Sequence, residues 1–468
     1  MTAGNRARRD PSEGRETPRG ENHWNETREG ALDPANLSTK RQWIADLART
    51  KRGTALCSLH HVIDLEWMLE AYDLTRKDGA PGIDGVTATD YEANLEANLL
   101  DLLERIKSGR YEAPPVRRTY IPKVDGSQRP IGIPAFEDKV AQRAVSMVLE
   151  AIYEQDFLPC SYGFRPGRSA HQALNSLRYE IWSNRLYWVL DIDIRKYFDS
   201  ISHTHLRAFL DQRVKDGVIR RMIDKWLNAG VVEDGLLRRT TEGTPQGGVI
   251  SPCISNIVLH HVLDEWFETQ VRPRLAGRCT LVRFADDAVM AFDNLVDAQR
   301  VLAVLGKRLE RFGLTLHPDK TRLVDFRPMQ ADGTRHPDTG GTTFDFLGFT
   351  HVWGRSLKGK PIVRQITAKS RFARALAAVS DWCQKNRHLP IRVQHRHLSA
   401  MMRGHFAYYG VGGNGQRLRW FAYQVVRIWQ KWLSRRDRGS VVRWARLNEI
   451  LKRHPLPRAR IARPYAAR

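Results

Sequence analysis

Apolar positions along the chain change period several times, and the changes mark its elements. From Arg41 to Tyr72 the spacing is helical, with Ile63, Trp67 and Leu69 among the apolar positions. A glycine-dense loop, residues 77–85, interrupts it, and residues 91–108 read as helix again. Two β-prone runs, 118–122 and 129–133, flank Asp125-Gly126, the composition of a hairpin with a tight turn. Helix is predicted over residues 138–153, and a strongly β-prone run over 186–194. Further helices are predicted over residues 205–228, 249–272 and 296–311, and a hairpin over 280–292. Strand-like segments recur at residues 321–326 and 344–352; after Ile366 the pattern is almost wholly helical. Strands and helices thus alternate without the regular repeat of a doubly wound sheet, which predicts an α+β core. Residues 1–40 are polar and rich in Arg, Glu, Asn, Gly and Pro, and are expected to be a disordered tail.

Charge sharpens this division. The chain of 468 residues carries a formal net charge of +23. Residues 351–468 hold 27 Lys and Arg against 3 Asp and Glu, whereas the first 350 hold 48 against 49. Nearly all the excess positive charge therefore lies in the helical last quarter, where a polyanion, most commonly nucleic acid, would be drawn. In residues 417–436 an apolar stripe of Leu418, Phe421, Val425, Ile428 and Trp432 is accompanied by Tyr423, Arg427, Lys431 and Arg435 at every fourth position. One face suits a core and the other a phosphate backbone. The five cysteines form no CxxC pair, so neither a zinc module nor a disulfide scaffold is expected. No apolar run approaches the ~20 residues that span a bilayer, and the N-terminus has no secretory pattern. A cytoplasmic, nucleic-acid-associated protein is expected.

Acidic residues at the ends of apolar strands suggest the chemistry. Asp191 and Asp193 close the β-prone run, and Asp286 and Asp287 sit between apolar neighbours inside the second predicted hairpin. Charged groups on core strands are costly unless paired or metal-bound. One acid from the first strand and two from a facing hairpin could hold a pair of divalent ions, as phosphoryl transfer requires.

These segments resemble the A and C boxes of reverse transcriptases. Asp193 is followed five residues later by Phe198, whereas Asp191 is followed by Lys196, so Asp193 fits the A pattern; Phe284-Ala285-Asp286-Asp287 fits the C pattern, with Phe where Tyr is common. Further boxes follow the family's order: 121–123 and 128–134 (fingers hairpin), 161–171, 243–256 (the B box), 313–321 (the D box) and 346–349 (the primer grip). The loop at 79–85 and the phrase at 403–409 narrow the likeness to bacterial group II intron-encoded reverse transcriptase/maturases, and without the Cys pairs that some relatives carry the endonuclease-lacking type is expected.

That resemblance implies a right-hand polymerase fold with fingers and palm, followed by an all-α thumb/maturase domain. The boundaries would be a tail at 1–40, a helical extension and start of fingers at 41–115, fingers and palm at 116–350, and thumb at 351–468. It implies catalytic and metal-binding Asp193, Asp286 and Asp287, with Ile194 adding a metal contact, and two Mg²⁺ ions that Mn²⁺ could replace. Lys123, Arg129, Phe198, Gln246 and Lys320 would bind the incoming nucleotide, with Phe198 excluding a 2′-hydroxyl. Arg165, Arg168, Gly247, Arg403, Arg427, Lys431 and Arg435 would contact nucleic acid. The partners implied are structured group II intron RNA, an RNA template with a DNA primer, dNTPs and target DNA, with no membrane and no zinc. A host-recruited enzyme of repair or phage defence, or a non-enzymatic RNA chaperone, is the alternative. Three carboxylates beside a polyanion argue against a purely binding role, since they would repel it.

Overall fold

The structure is a computed structural model that describes residues 34–122, 128–233, 236–238, 242–244, 247–328, 343–356, 358–436 and 441–465. Its strands are β1 (Val116–Pro122), β2 (Gln128–Ile133), β3 (Trp188–Ile192), β4 (Val231–Glu233), β5 (Leu236–Arg238), β6 (Cys279–Phe284), β7 (Asp287–Phe292), β8 (Arg322–Asp325), β9 (Phe344–Phe346), β10 (Phe349–Arg355) and β11 (Pro361–Thr367). The chain divides into two compact units. One takes in the described parts of Met1–Asp156, Leu210–Thr240 and Pro245–Ile250; the other those of Phe157–Phe209, Thr241–Thr244 and Ser251–Arg468.

In the first unit, helix Pro34–Thr50 starts within the stretch expected to be a disordered tail. Leu37 is already buried there, and Lys40 pairs with Asp64 and Glu66 at 2.7 Å, so contacts rather than composition order this stretch. The helix predicted from Arg41 to Tyr72 is two helices. The first ends at Thr50, and the second, Leu65–Asp73, restarts at Asp64, whose carboxylate accepts from the Trp67 N–H. The stretch 91–108 is likewise split into Ala88–Glu92, opened by a Thr87–Asp90 capping box, and Leu95–Ser108. Helix Phe136–Tyr153 supplies the inner wall, with Val140, Ala144, Val148 and Ile152 fully buried and the Trp67 indole donating to the Ala144 carbonyl at 3.0 Å. The unit's sheet runs β2-β1-β4-β5. β1 and β2 form the predicted hairpin, paired from Arg117↔Ile133 to Pro122↔Gln128, and its turn at 123–127 lies outside the described residues. The helix expected over 205–228 is two: His203–Asp211, of which all but the last two residues belong to the second unit, and Gly217–Asn228, capped by Asp216.

The second unit is built on the antiparallel sheet β6-β7-β3-β8 and the three-stranded sheet β11-β10-β9. Helix Ala170–Asn184 buries Leu174, Leu177 and Ile181 in one core with Val189, Val282, Val289, Phe326, Phe344 and Phe349 from both sheets. Each such side chain contributes about 1.5–3 kcal/mol by leaving water. The helix predicted over 249–272 starts at Ser251 and loosens into π turns at His260–Asp264 and Phe267–Val271. Beyond the sheets, helices Lys369–Lys385, Ile391–Tyr409, Gly415–Leu433 and Trp444–Arg453 enclose a separate core that includes Leu398, Phe406, Phe421, Trp429 and Leu447. The boundary expected at 350/351 falls inside β10. Pairing of β10 with both β9 and β11 carries the sheet across it, so the helical region starts only after Thr367.

Candidate active site

Strand register assembles the acids. β3 pairs antiparallel with β7 from Trp188↔Phe292 to Ile192↔Ala288. Asp193 and Asp287 are the next residues beyond that last pair on the two strands, and the charge of Asp193 acts on Asp287. Phe284 pairs with Asp287, so Ala285 and Asp286 form the two-residue turn, with Ala285 at φ +57°. Asp193, Asp286 and Asp287, about 90 residues apart in sequence, thus meet at one end of the sheet. Beyond β3, the Arg195 N–H donates to the Thr315 carbonyl and the His317 N–H to that of Asp193, both at 2.8 Å. Those bonds point to the β8 side, which leaves the Ile194 carbonyl directed to the β7 side, beside the turn.

The electrostatics follow from the crowding. The side chain of Asp287 reaches solvent at the sheet end, yet the protein around it strips away much of its water. That desolvation, with the charges of Asp286, Asp193 and Asp191 and against the pull of Arg371, raises its carboxyl to about 6. Asp191, on the same strand face as Asp193, is also raised to about 6 by desolvation, partly offset by Arg322 at 3.4 Å. The Lys320 ammonium lies 2.8 Å from the Asp193 carboxylate. A group of carboxylates that raise one another's proton affinity is a donor set that a hard divalent cation fits, because bound charge relieves the repulsion.

The turn is held from behind. Arg283 is fully buried; its Nε and Nη2 donate to Asp264 at 2.8 and 2.6 Å, Nη2 also to Ser161 at 2.8 Å, and Nη1 to Asn256 at 3.0 Å and the Ala285 carbonyl at 2.9 Å. The Tyr162 N–H donates to the Arg283 carbonyl, and the Arg283 N–H to that of Cys160, at 2.8 Å each. A Cβ on Gly163 would come within 2.3 Å of the Ala285 nitrogen, so only glycine lets this segment pass the turn. The sequence motifs gave no role to Arg283 and none to Asp264. The signal available was an arginine on a core strand, which demands a buried acid.

The other expected positions distribute as follows. Phe198 is half-buried, its ring 5.3 Å from that of Tyr197, and its carbonyl accepts from the Thr244 N–H at 2.8 Å. A Cβ on Gly243 would meet the Asp199 carbonyl at 2.9 Å, so the B-box backbone lies directly on the A-box turn. In the other unit, Gly247 takes φ +114° with its missing Cβ 2.5 Å from the Gly132 carbonyl, and Arg129 is exposed on β2. Lys123 and Gln246 lie outside the described residues. Arg165, expected to face nucleic acid, is buried instead. Its guanidinium donates to the Leu158 and Ser161 carbonyls at 2.9 and 3.0 Å and lies over Phe157, which ties it to its own loop. Arg168 is half-buried over Tyr162. Arg403, Arg427, Lys431 and Arg435 are exposed, and Leu418, Phe421, Val425 and Trp432 are buried on the opposite side. The turn at Leu347-Gly348 takes φ of +50° and +80° and is pinned by the Tyr408 hydroxyl, which donates to the Leu347 carbonyl at 2.9 Å. His171 lies 2.7 Å from the Tyr408 carbonyl.

An antiparallel sheet carrying one strand-end acid beside an acidic hairpin turn suits two-metal nucleotidyl transfer, and comparison with known proteins gives the family. The family described as reverse transcriptase (RNA-dependent DNA polymerase) matches residues 121–351. Protein YkfC of Escherichia coli is 42% identical over 355 residues, 67% of this chain and 88% of that protein. The chain belongs to the reverse transcriptase family, and the α+β right-hand fold expected from its motifs is that family's fold. The group II intron-encoded protein LtrA of Lactococcus lactis is 41% identical over 168 residues, 36% of this chain and 28% of that protein. A 91 kDa protein in the cob intron of Schizosaccharomyces pombe is 41% identical over 178 residues, 37% of this chain and 22% of that one. These relatives are consistent with the group II intron reverse transcriptase/maturase type. Among the described residues no helix is long and apolar enough to cross a membrane.

Proposed function

We propose that this RNA-directed DNA polymerase extends a DNA primer on an RNA template by two-metal nucleotidyl transfer, and that its basic helical region also holds structured intron RNA. The observation that carries the reading is the register that sets Asp193 against the 286–287 turn. Divalent ions, Mg²⁺ with Mn²⁺ as a substitute, would supply activation of the primer 3′-hydroxyl and neutralisation of the leaving pyrophosphate.

The chain's own residues do the rest. Asp193, Asp286 and Asp287 would hold the ions, with the Ile194 carbonyl as a further oxygen. Arg283 keeps the turn fixed, so the carboxylates need no rearrangement during transfer. Lys320, placed on Asp193, is positioned to exchange that carboxylate for the phosphates of the incoming nucleotide. Lys123, Arg129 and Gln246 are assigned to the same nucleotide, and Phe198 to the floor under its sugar, where a ring would bar a 2′-hydroxyl. Arg168, Gly247, Arg403, Arg427, Lys431 and Arg435 are assigned to template, primer and intron RNA, and target DNA would follow the same basic surface. Work in a bacterial cytoplasm, close to the nucleoid, suits those partners.

The test is primer extension on an RNA template with dNTPs and Mg²⁺. Replacing Asp286 and Asp287 together by Ala should abolish extension and leave RNA binding within about two-fold, since the basic helices are untouched. Persistent extension would overturn the metal-site assignment.

A further inference from the structure

Helix Gly415–Leu433 carries two aromatic side chains that its core does not use. Trp420 is 48% exposed and Tyr423 46% exposed, and their rings stack at 5.3 Å with an interplanar angle of 26°. Exposure of two large rings one turn apart forgoes the burial that aromatic side chains ordinarily supply. Tyr423 lies C-terminal to Trp420 and covers it from that side. On the N-terminal side, towards which helical side chains lean, a cavity of about 650 Å³ opens. Arg364 from β11, Gln416, Arg417 and Arg419 line it together with Trp420, and no carboxylate does so among the described residues.

Each part of this cavity has a chemical meaning. Arg364 spends one guanidinium N–H on the Gly413 carbonyl at 2.8 Å, which fixes the fork in place with donors to spare. Arg417 lies over Phe372, packed on the helical core. Three arginine side chains along one concavity, with no carboxylate among the described lining residues, favour an anion, and the planar Trp420 wall, backed by Tyr423, favours a flat π-system. Gln416 carries both donor and acceptor, as the edge of a base requires. A cavity of this volume falls within the range that encloses a small organic ligand.

We infer that this cavity captures a single unpaired nucleotide of a structured RNA, its base stacked on Trp420 and its phosphates on Arg364, Arg417 and Arg419. The inference rests on the RNA-binding reading above and adds to it a preference for a base extruded from a helix. A base held in a duplex is stacked on both faces and cannot enter. A bulge or loop nucleotide has already lost that stacking, so Trp420 replaces it at little cost.

The full chain is titrated by fluorescence anisotropy with two RNA hairpins of equal stem length, one with a single bulged nucleotide and one fully paired. The wild type should prefer the bulged hairpin by on order of ten-fold. Trp420→Ala, a change at an exposed ring, should weaken the bulged hairpin by roughly 5- to 150-fold and the paired one by under two-fold. Trp420→Tyr should restore the preference. Equal affinity of the wild type for both hairpins, or equal loss for both in Trp420→Ala, overturns the inference. So does competition by free AMP at the same concentration as the bulged hairpin, which would make the cavity a mononucleotide site. Primer extension is measured in parallel: its loss in the wild type would fault the polymerase reading, while intact extension without bulge preference would fault only this one.

Discussion

Replacing Asp264 by Asn removes the carboxylate that Arg283 engages at 2.8 and 2.6 Å and keeps the side chain's shape. Both side chains are fully inaccessible to water, so Arg283 is left as an uncompensated buried charge. Breaking such a pair from one side costs roughly 3–5 kcal/mol. At about 2 °C per kcal/mol for a body of this size, the melting temperature should fall by roughly 6–10 °C. The guanidinium will also shift towards other acceptors, and the Ala285 carbonyl it holds at 2.9 Å sits beside Asp286. A displacement of the turn by ~1 Å should slow extension about 100-fold. Thermal unfolding and single-turnover primer extension read the two effects separately. The double variant Arg283→Met with Asp264→Leu sharpens the test, because an apolar pair of similar volume restores most of the stability. It does not restore a donor to Ala285, so extension should stay slow. A wild-type melting temperature for Asp264→Asn refutes the charge argument. Full recovery of rate in the double variant refutes the claim that Arg283 positions the turn.

His351 offers a test by pH. Its ring is buried against Phe344 and accepts from the Gln365 amide at 3.0 Å, an arrangement open only to the neutral form, and burial lowers its pKa to about 3. The unfolded chain takes up a proton near pH 6.5 that the folded chain refuses. Stability from this group is therefore complete above pH 6.5 and is lost as pH falls towards 3, by ~2 kcal/mol at pH 5. His351→Phe should flatten the fall in denaturation midpoint between pH 7 and 5, and an unchanged slope would count against it. The exposed basic face of helix Gly415–Leu433 and the turn after it is expected to set the salt response of RNA binding. Arg427→Ala, Lys431→Ala and Arg435→Ala together should reduce the slope of log affinity against log salt by about 2–3, and an unaltered slope would remove these residues from the phosphate contacts.

The acids were legible because strand chemistry and catalytic chemistry coincide there. Residues 186–194 are β-branched or apolar up to the carboxylates, and the 280–292 run sets its two acids between apolar strand residues. The apolar and cationic stripes of residues 417–436 were equally plain, since a period of four on one helix needs no tertiary knowledge. What failed was whatever depends on partners distant in sequence. Arg165 reads like any loop arginine until the Leu158 and Ser161 carbonyls close on it. The chain from Pro34 looks too polar to fold until Lys40 meets Asp64 and Glu66. The break before Leu65 escaped because a single capping bond from Asp64 competes only weakly, in sequence, with continued helical spacing.

The Tyr408 hydroxyl on the Leu347 carbonyl, with His171 on the Tyr408 carbonyl, bears on how this enzyme could be shortened or rebuilt. The last turn of helix Ile391–Tyr409 works as a bolt through the grip turn and the first turn of helix Ala170–Asn184. A truncated polymerase that stops before this helix would therefore lose more than its handle on RNA. It would unfasten the turn on which the primer end is expected to rest, so a minimal active fragment has to extend past Tyr409.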